Sequence, residues 1–130
     1  MKRFFGMAAT VALMGMAMPA AADALEGMWR TSKDDNGNSG IIKVAPCGSS
    51  LCGTLVQSFD SAGKPLKTAN IGKQIISATK PTGGGNYKGK VFSPDRGKTY
   101  NSKLVLSGNT LKVSGCVLGV CRDGGTWTRQ

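Results

Sequence analysis

Along most of this chain apolar and polar residues alternate with a period of two, and clusters of turn-forming residues break the alternation about every ten residues. A period of two puts successive side chains on opposite faces of a sheet, so the pattern commits the chain to short antiparallel strands joined by turns. Eight strands are expected, over residues 26–31 around Trp29, 41–45, 54–59, 74–78, 87–92, 99–106, 110–116 and 125–129. Ser93-Pro94-Asp95-Arg96-Gly97 reads as a type I turn, and Ser107-Gly108-Asn109 as another reversal. Residues 60–72 read as a looser stretch, in which Ala62-Gly63-Lys64-Pro65 breaks pairing and a short helical turn fits.

No stretch is long enough to make a helix that covers a sheet face, so the strands must bury their apolar faces against one another. Closing the sheet also removes its exposed edges. The expected fold is therefore all-β, a small eight-stranded antiparallel barrel, with a two-sheet sandwich as the alternative that uses the same alternation. Parity assigns the interior: Tyr87 and Val91, Leu104 and Leu106, Leu111 and Val113 point in, while Lys88, Lys90, Lys103 and Lys112 point out. At about six residues per strand the wall is roughly 20 Å long, which leaves little lumen once these side chains and Trp29 are placed.

Residues 1–22 read as a secretory signal peptide, with Lys2 and Arg3 as its positive start, an apolar run from Phe4 to Met18, and Ala20-Ala21-Ala22 as its small-residue cleavage site. A cut after Ala24 is the alternative. The apolar run, of about 15 residues, is short against the roughly 20 needed to span a bilayer, so no transmembrane span is expected. Residues 23–130 are then one exported domain, periplasmic or secreted. Losing Lys2 and Arg3 lowers the net charge from +10 to +8. Five basic and five acidic residues cancel over residues 23–70, whereas residues 71–130 hold ten basic residues against Asp95 and Asp123 alone.

An even count of four cysteines, Cys47-x4-Cys52 and Cys116-x4-Cys121, points to two disulfides in an exported chain. Three pairings exist. The two local ones are favoured, because positions facing each other at a hairpin mouth lie about 5 Å apart, within disulfide reach. A redox role is the sharper alternative, but the spacing is not that of a Cys-x-x-Cys motif.

The chain has no histidine, which removes histidine-based triads, zinc–histidine sites and imidazole pH switches together. Ser93, Asp95 and Tyr100 gather around one turn, but their spacing is turn chemistry and no paired base accompanies them. Asp34-Asp35-Asn36-Gly37 resembles part of a calcium loop without its distal glutamate, and Gly83-Gly84-Gly85 precedes a strand rather than a helix N-terminus. These residues point to a protein that is not an enzyme, with no catalytic residue, cofactor or metal.

Several motifs carry a resemblance. Gly27-Met28-Trp29 opens the strand pattern and Thr126-Trp127-Thr128-Arg129 closes it. Between them stand Pro46-Cys47-Gly48, Leu51-Cys52-Gly53, Phe92-Ser93-Pro94-Asp95, Gly97-Lys98-Thr99-Tyr100, and Leu111-Lys112-Val113 with Gly115-Cys116. Through them the chain resembles the exported bacterial proteins grouped as DUF2147, over nearly all of residues 25–130. The resemblance implies a lipocalin-like small barrel and an extracytoplasmic compartment more than an activity. It also implies a plug in which Trp29 closes one end of the barrel beneath a late-strand arginine, Arg129 or Arg122, with Trp127 beside it. Members of that family often carry Arg-Ser-Gln where this chain has Arg122-Asp123-Gly124-Gly125.

Two binding roles follow. The first is a carrier that holds a small hydrophobic or amphipathic molecule inside the barrel, with Tyr87, Val91, Leu104, Leu106, Leu111 and Val113 as candidate lining. The second is a module for anionic components of the cell envelope, lipopolysaccharide or anionic lipid, bound through Lys88, Lys90, Lys103 and Lys112. Export and the lack of interleaved surface aromatics argue against nucleic acid.

Overall fold

In a computed structural model, residues 22–130 are described; the expected leader lies outside the described residues except for Ala22. Eight strands form one closed antiparallel barrel in sequence order: β1 (Gly27–Arg30), β2 (Ser39–Cys47), β3 (Ser50–Phe59), β4 (Gln74–Gly83), β5 (Asn86–Ser93), β6 (Lys98–Ser107), β7 (Thr110–Val117) and β8 (Val120–Arg129). The first and last strands close the wall through the pairs Trp29–Arg129 and Arg30–Thr128. Closure rules out the two-sheet sandwich.

Several strands run longer than expected. Pro46 and Cys47 pair with Leu51 and Ser50 inside the β2–β3 ladder, Pro81 pairs with Tyr87, and β8 begins at Val120 rather than at residue 125. Each of these segments contains proline, glycine or cysteine, and those residues read as turn punctuation although the ladder tolerates them here. Strands of nine or ten residues give roughly 30 Å of wall along the strand, against the roughly 20 Å expected. The interior is correspondingly deeper.

Residues 60–72 contain no helix. They make a small reversal, in which Phe59 bridges Pro65, the Asp60 amide donates to the Lys64 carbonyl, and the Asp60 carboxylate accepts from the amides of Ala62 and Lys64 at 2.9 Å. Pairing thus continues past the point where Gly63 and Pro65 were expected to break it.

An antiparallel barrel sends alternate connections to opposite ends. The β1–β2, β3–β4, β5–β6 and β7–β8 connections surround one end, and the β2–β3, β4–β5 and β6–β7 hairpins surround the other together with both ends of the domain. Near the second end Leu25, Trp29, Leu104, Leu111 and Trp127 form a buried core, joined by Tyr87 and Val44. The first end is open.

Candidate functional site: a hollow barrel with one sealed end

The sealed end is built around Trp29, which is fully buried and donates from Nε1 to the Leu25 carbonyl at 2.9 Å. The Arg129 guanidinium lies over its ring, with Cζ 4.3 Å from the centroid. Arg129 also donates to the carbonyls of Glu26 (3.2 Å) and Ala24 (2.8 Å), which ties the last strand to the chain entering the first. An arginine held over an indole contributes about 0.5–2 kcal/mol, depending on desolvation. Of the two arginines considered for this place, Arg129 occupies it; Arg122 lies at the opposite end, in register with Gly115.

Tyr87 completes the plug from below, donating to an Asp23 carboxylate oxygen at 2.5 Å. Burial, and then the hydrogen bond and the charge of Asp23, push the Tyr87 phenol up to about 12, against a smaller opposing contribution from the backbone at Leu25.

Above the plug the barrel is hollow. A cavity of about 960 Å³ opens at the first end, and Ile42, Leu55, Ile75, Val91, Val113 and Trp127 form its apolar wall. Of the six residues expected to line a ligand, Val91 and Val113 lie on this wall. Tyr87, Leu104 and Leu111 are buried in the core toward the sealed end, and Leu106 is half-buried against it. All six have inward parity. What separates them is their height along the strand, which a period-two pattern does not encode. Leu66, from the reversal after β3, also reaches the cavity; its only signal in the sequence is a lone apolar residue among polar neighbours.

Charges of both signs ring the mouth: Lys33, Asp34 and Asp35 in the β1–β2 loop, Asp95 and Arg96 in the β5–β6 loop, and Arg122 and Asp123 on β8. Partial burial, followed by the Asp34 and Asp35 carboxylates, raises the Asp95 pKa, while Arg96 works against the shift. The Ser93–Asp95–Tyr100 group therefore belongs to the rim and wall of the cavity.

Both local disulfides are present, Cys47–Cys52 and Cys116–Cys121. Cys116 faces Cys121 directly across β7–β8, with Cα atoms 4.0 Å apart. Cys47 instead faces Ser50, and its bond to Cys52 runs diagonally with a Cα separation of 5.8 Å. The first staple lies at the sealed end and the second at the mouth, where it holds a hairpin tip whose Leu118 is 97% exposed. Lys88, Lys90, Lys103 and Lys112 are all exposed on the outer wall, away from the cavity.

Among known proteins, the model of the family described as "Uncharacterized protein conserved in bacteria (DUF2147)" matches residues 27–129. A search of curated proteins finds no match. Among solved structures the barrel is similar to protein HP1028 from the human pathogen Helicobacter pylori, which belongs to the lipocalin family, with a TM-score of 0.64 and 18% identity over 85% of this chain and 84% of that one. At that identity the likeness is one of fold.

Proposed function

This chain belongs to the DUF2147 family, and we propose that it is a non-catalytic binding protein that carries one small amphipathic molecule in its barrel. The observation that carries this reading is the cavity of about 960 Å³ above an intact plug. Small-molecule sites range from about 300 to 1,000 Å³ and combine apolar walls with a few polar groups. Here the apolar wall lies deep and the charges lie at the mouth, so the bound molecule would place its apolar part inward and its polar end at the rim. The lipocalin-like fold supports the same reading by analogy.

The test uses the difference between the two tryptophans. Trp127 lies on the cavity wall, whereas Trp29 is sealed in the plug. Titration with a long-chain fatty acid should saturate at one molecule per chain and change the fluorescence of the wild type, and the change should vanish in Trp127→Phe. Gly115 lines the cavity, and a Cβ there would stand 3.4 Å from the Tyr100 side chain, an ordinary contact. Gly115→Val should therefore fold and bind at least tenfold more weakly. A wild type that shows no saturable change, or a Gly115→Val variant that binds equally well, would overturn the carrier reading.

We further propose that the protein acts outside the cytoplasm. Two disulfides support this compartment, and the plug supports a cut after Ala22 over one after Ala24. The first cut keeps the Asp23 carboxylate that accepts from Tyr87 and the Ala24 carbonyl that accepts from Arg129, whereas the second removes both. The intact mass of protein recovered from the envelope should correspond to a chain beginning at Asp23; a chain beginning at Met1 or Leu25 would contradict this.

A further inference from the structure

The outer wall carries a charge arrangement that neither the fold nor the cavity requires. Lys80 on β4 faces Lys88 on β5, and Lys88 faces Lys103 on β6, so three lysines stand directly opposite one another across three adjacent strands. All three are exposed. Lys112 on β7 pairs with Val105, two residues along β6 from Lys103, and so lies diagonal to the row. Lys90, two residues along β5 from Lys88, donates from Nζ to Asn101 Oδ1 at 2.6 Å. Strands β4, β5, β6 and β7 contain no aspartate or glutamate. On the row itself the next acidic residue is Asp123, two strands beyond Lys103 through Ser114.

Like charges placed directly opposite on one sheet face destabilise it. Lysines that guard a sheet edge would justify that cost, but the barrel is closed and has no edge to guard. Solubility would be served equally well by lysines spread among acids. The row therefore has a use on the outside of the molecule. Its three lysines line neither the barrel cavity nor the recess of about 330 Å³ bounded by Lys73, Gln74, Ser77, Phe92 and Thr99, and the row spans roughly 10 Å across three strands, which suits an extended array of negative charges.

We propose that the β4–β6 wall is a docking surface for an anionic phospholipid membrane, with Lys80, Lys88 and Lys103 as its centre and Lys90 and Lys112 at its margins. Its cations reinforce one another's field within a Debye length, so binding is strongest at low salt and falls as salt is raised. The wall is separate from the cavity, and this inference stands whether or not the barrel carries a ligand.

The test compares three proteins that begin at Asp23, the chain left by the proposed cut, in co-sedimentation with vesicles of phosphatidylcholine containing about 30% phosphatidylglycerol, at low salt. These are the wild type, a ladder variant (Lys80→Gln, Lys88→Gln, Lys103→Gln), and a control variant (Lys43→Gln, Lys64→Gln, Lys67→Gln) with the same change in net charge. At roughly a fivefold contribution per lysine near an anionic surface, the ladder variant should lose about a hundredfold in affinity, and the control less than about fivefold. Its thermal midpoint should stay the same or rise, because like-charge contacts are relieved, and its fatty-acid titration should match the wild type. Equal losses in the two variants would reduce the effect to net charge, and no loss in the ladder variant would remove the surface; either overturns the proposal. So would full competition by inorganic phosphate, at matched ionic strength, which would mark a small-anion site.

Discussion

At the scale of single residues, the sealed end depends on a few side chains whose partners are far apart in sequence. Trp29, Arg129, Tyr87 and Asp23 join both ends of the domain through one stacked guanidinium and three hydrogen bonds from Tyr87 and Arg129. Tyr87 makes this testable by pH. Its folded pKa of about 12 exceeds the ordinary 10.0, so the neutral phenol contributes fully to stability below pH 10, and the contribution is lost as pH rises from there through about 12. Denaturant midpoints should therefore fall more steeply between about pH 10 and 12 in the wild type than in Tyr87→Phe. At neutral pH that variant should be weaker by about 1–3 kcal/mol, for a lost hydrogen bond to a carboxylate. Parallel alkaline limbs in the two proteins would contradict the Tyr87–Asp23 contact. Parity alone placed Tyr87, Leu104, Leu111 and Val113 inside the wall, but whether each seals or lines the barrel depends on height along the strand, and Asp23 gave no sign of its partner 64 residues away.

At the scale of elements, the departures from regular pairing shape the interior. Strand β4 is irregular between Ser77 and Lys80, where Ala78 takes a left-handed backbone with φ of 50°. This brings its backbone onto the inner side of β5 at Gly89. A Cβ on Gly89 would come within 2.6 Å of the Ser77 carbonyl oxygen and 2.8 Å of the Ala78 carbonyl oxygen and the Thr79 Cα, all backbone atoms that cannot swing aside. Gly89→Ala should therefore destabilise the protein by about 1–3 kcal/mol in urea unfolding, the range for overpacking a well-filled site. A variant of wild-type stability would show that β4 does not pack there. The strands were readable as elements because alternation persists within each of them. Their ends were not, because Pro46 and Pro81 pair inside ladders although they read as turns in isolation, and β8 continues back past an irregularity in its pairing with β7 at Gly124-Gly125.

At the scale of the whole molecule, the longer strands deepen the barrel into a cup. One end is filled by Trp29, Leu25, Leu104, Leu111 and Trp127, and the other holds the cavity. Eight strands in a closed wall were legible from the alternation and the turn spacing. The hollow was not, since it depends on where along each strand the large side chains stop and small ones such as Gly115 and Ser58 begin. The basic half of the chain was also legible as a run of charge, but that Lys80 joins Lys88 and Lys103 in one row is a fact of register. The most direct measurement of the central claim is native mass spectrometry of the protein equilibrated with excess long-chain fatty acid, beside Gly115→Val. An open lumen predicts a single one-to-one adduct in the wild type that is lost or strongly reduced in the variant. A bare wild-type mass, or the same scatter of adducts in both proteins, would contradict it.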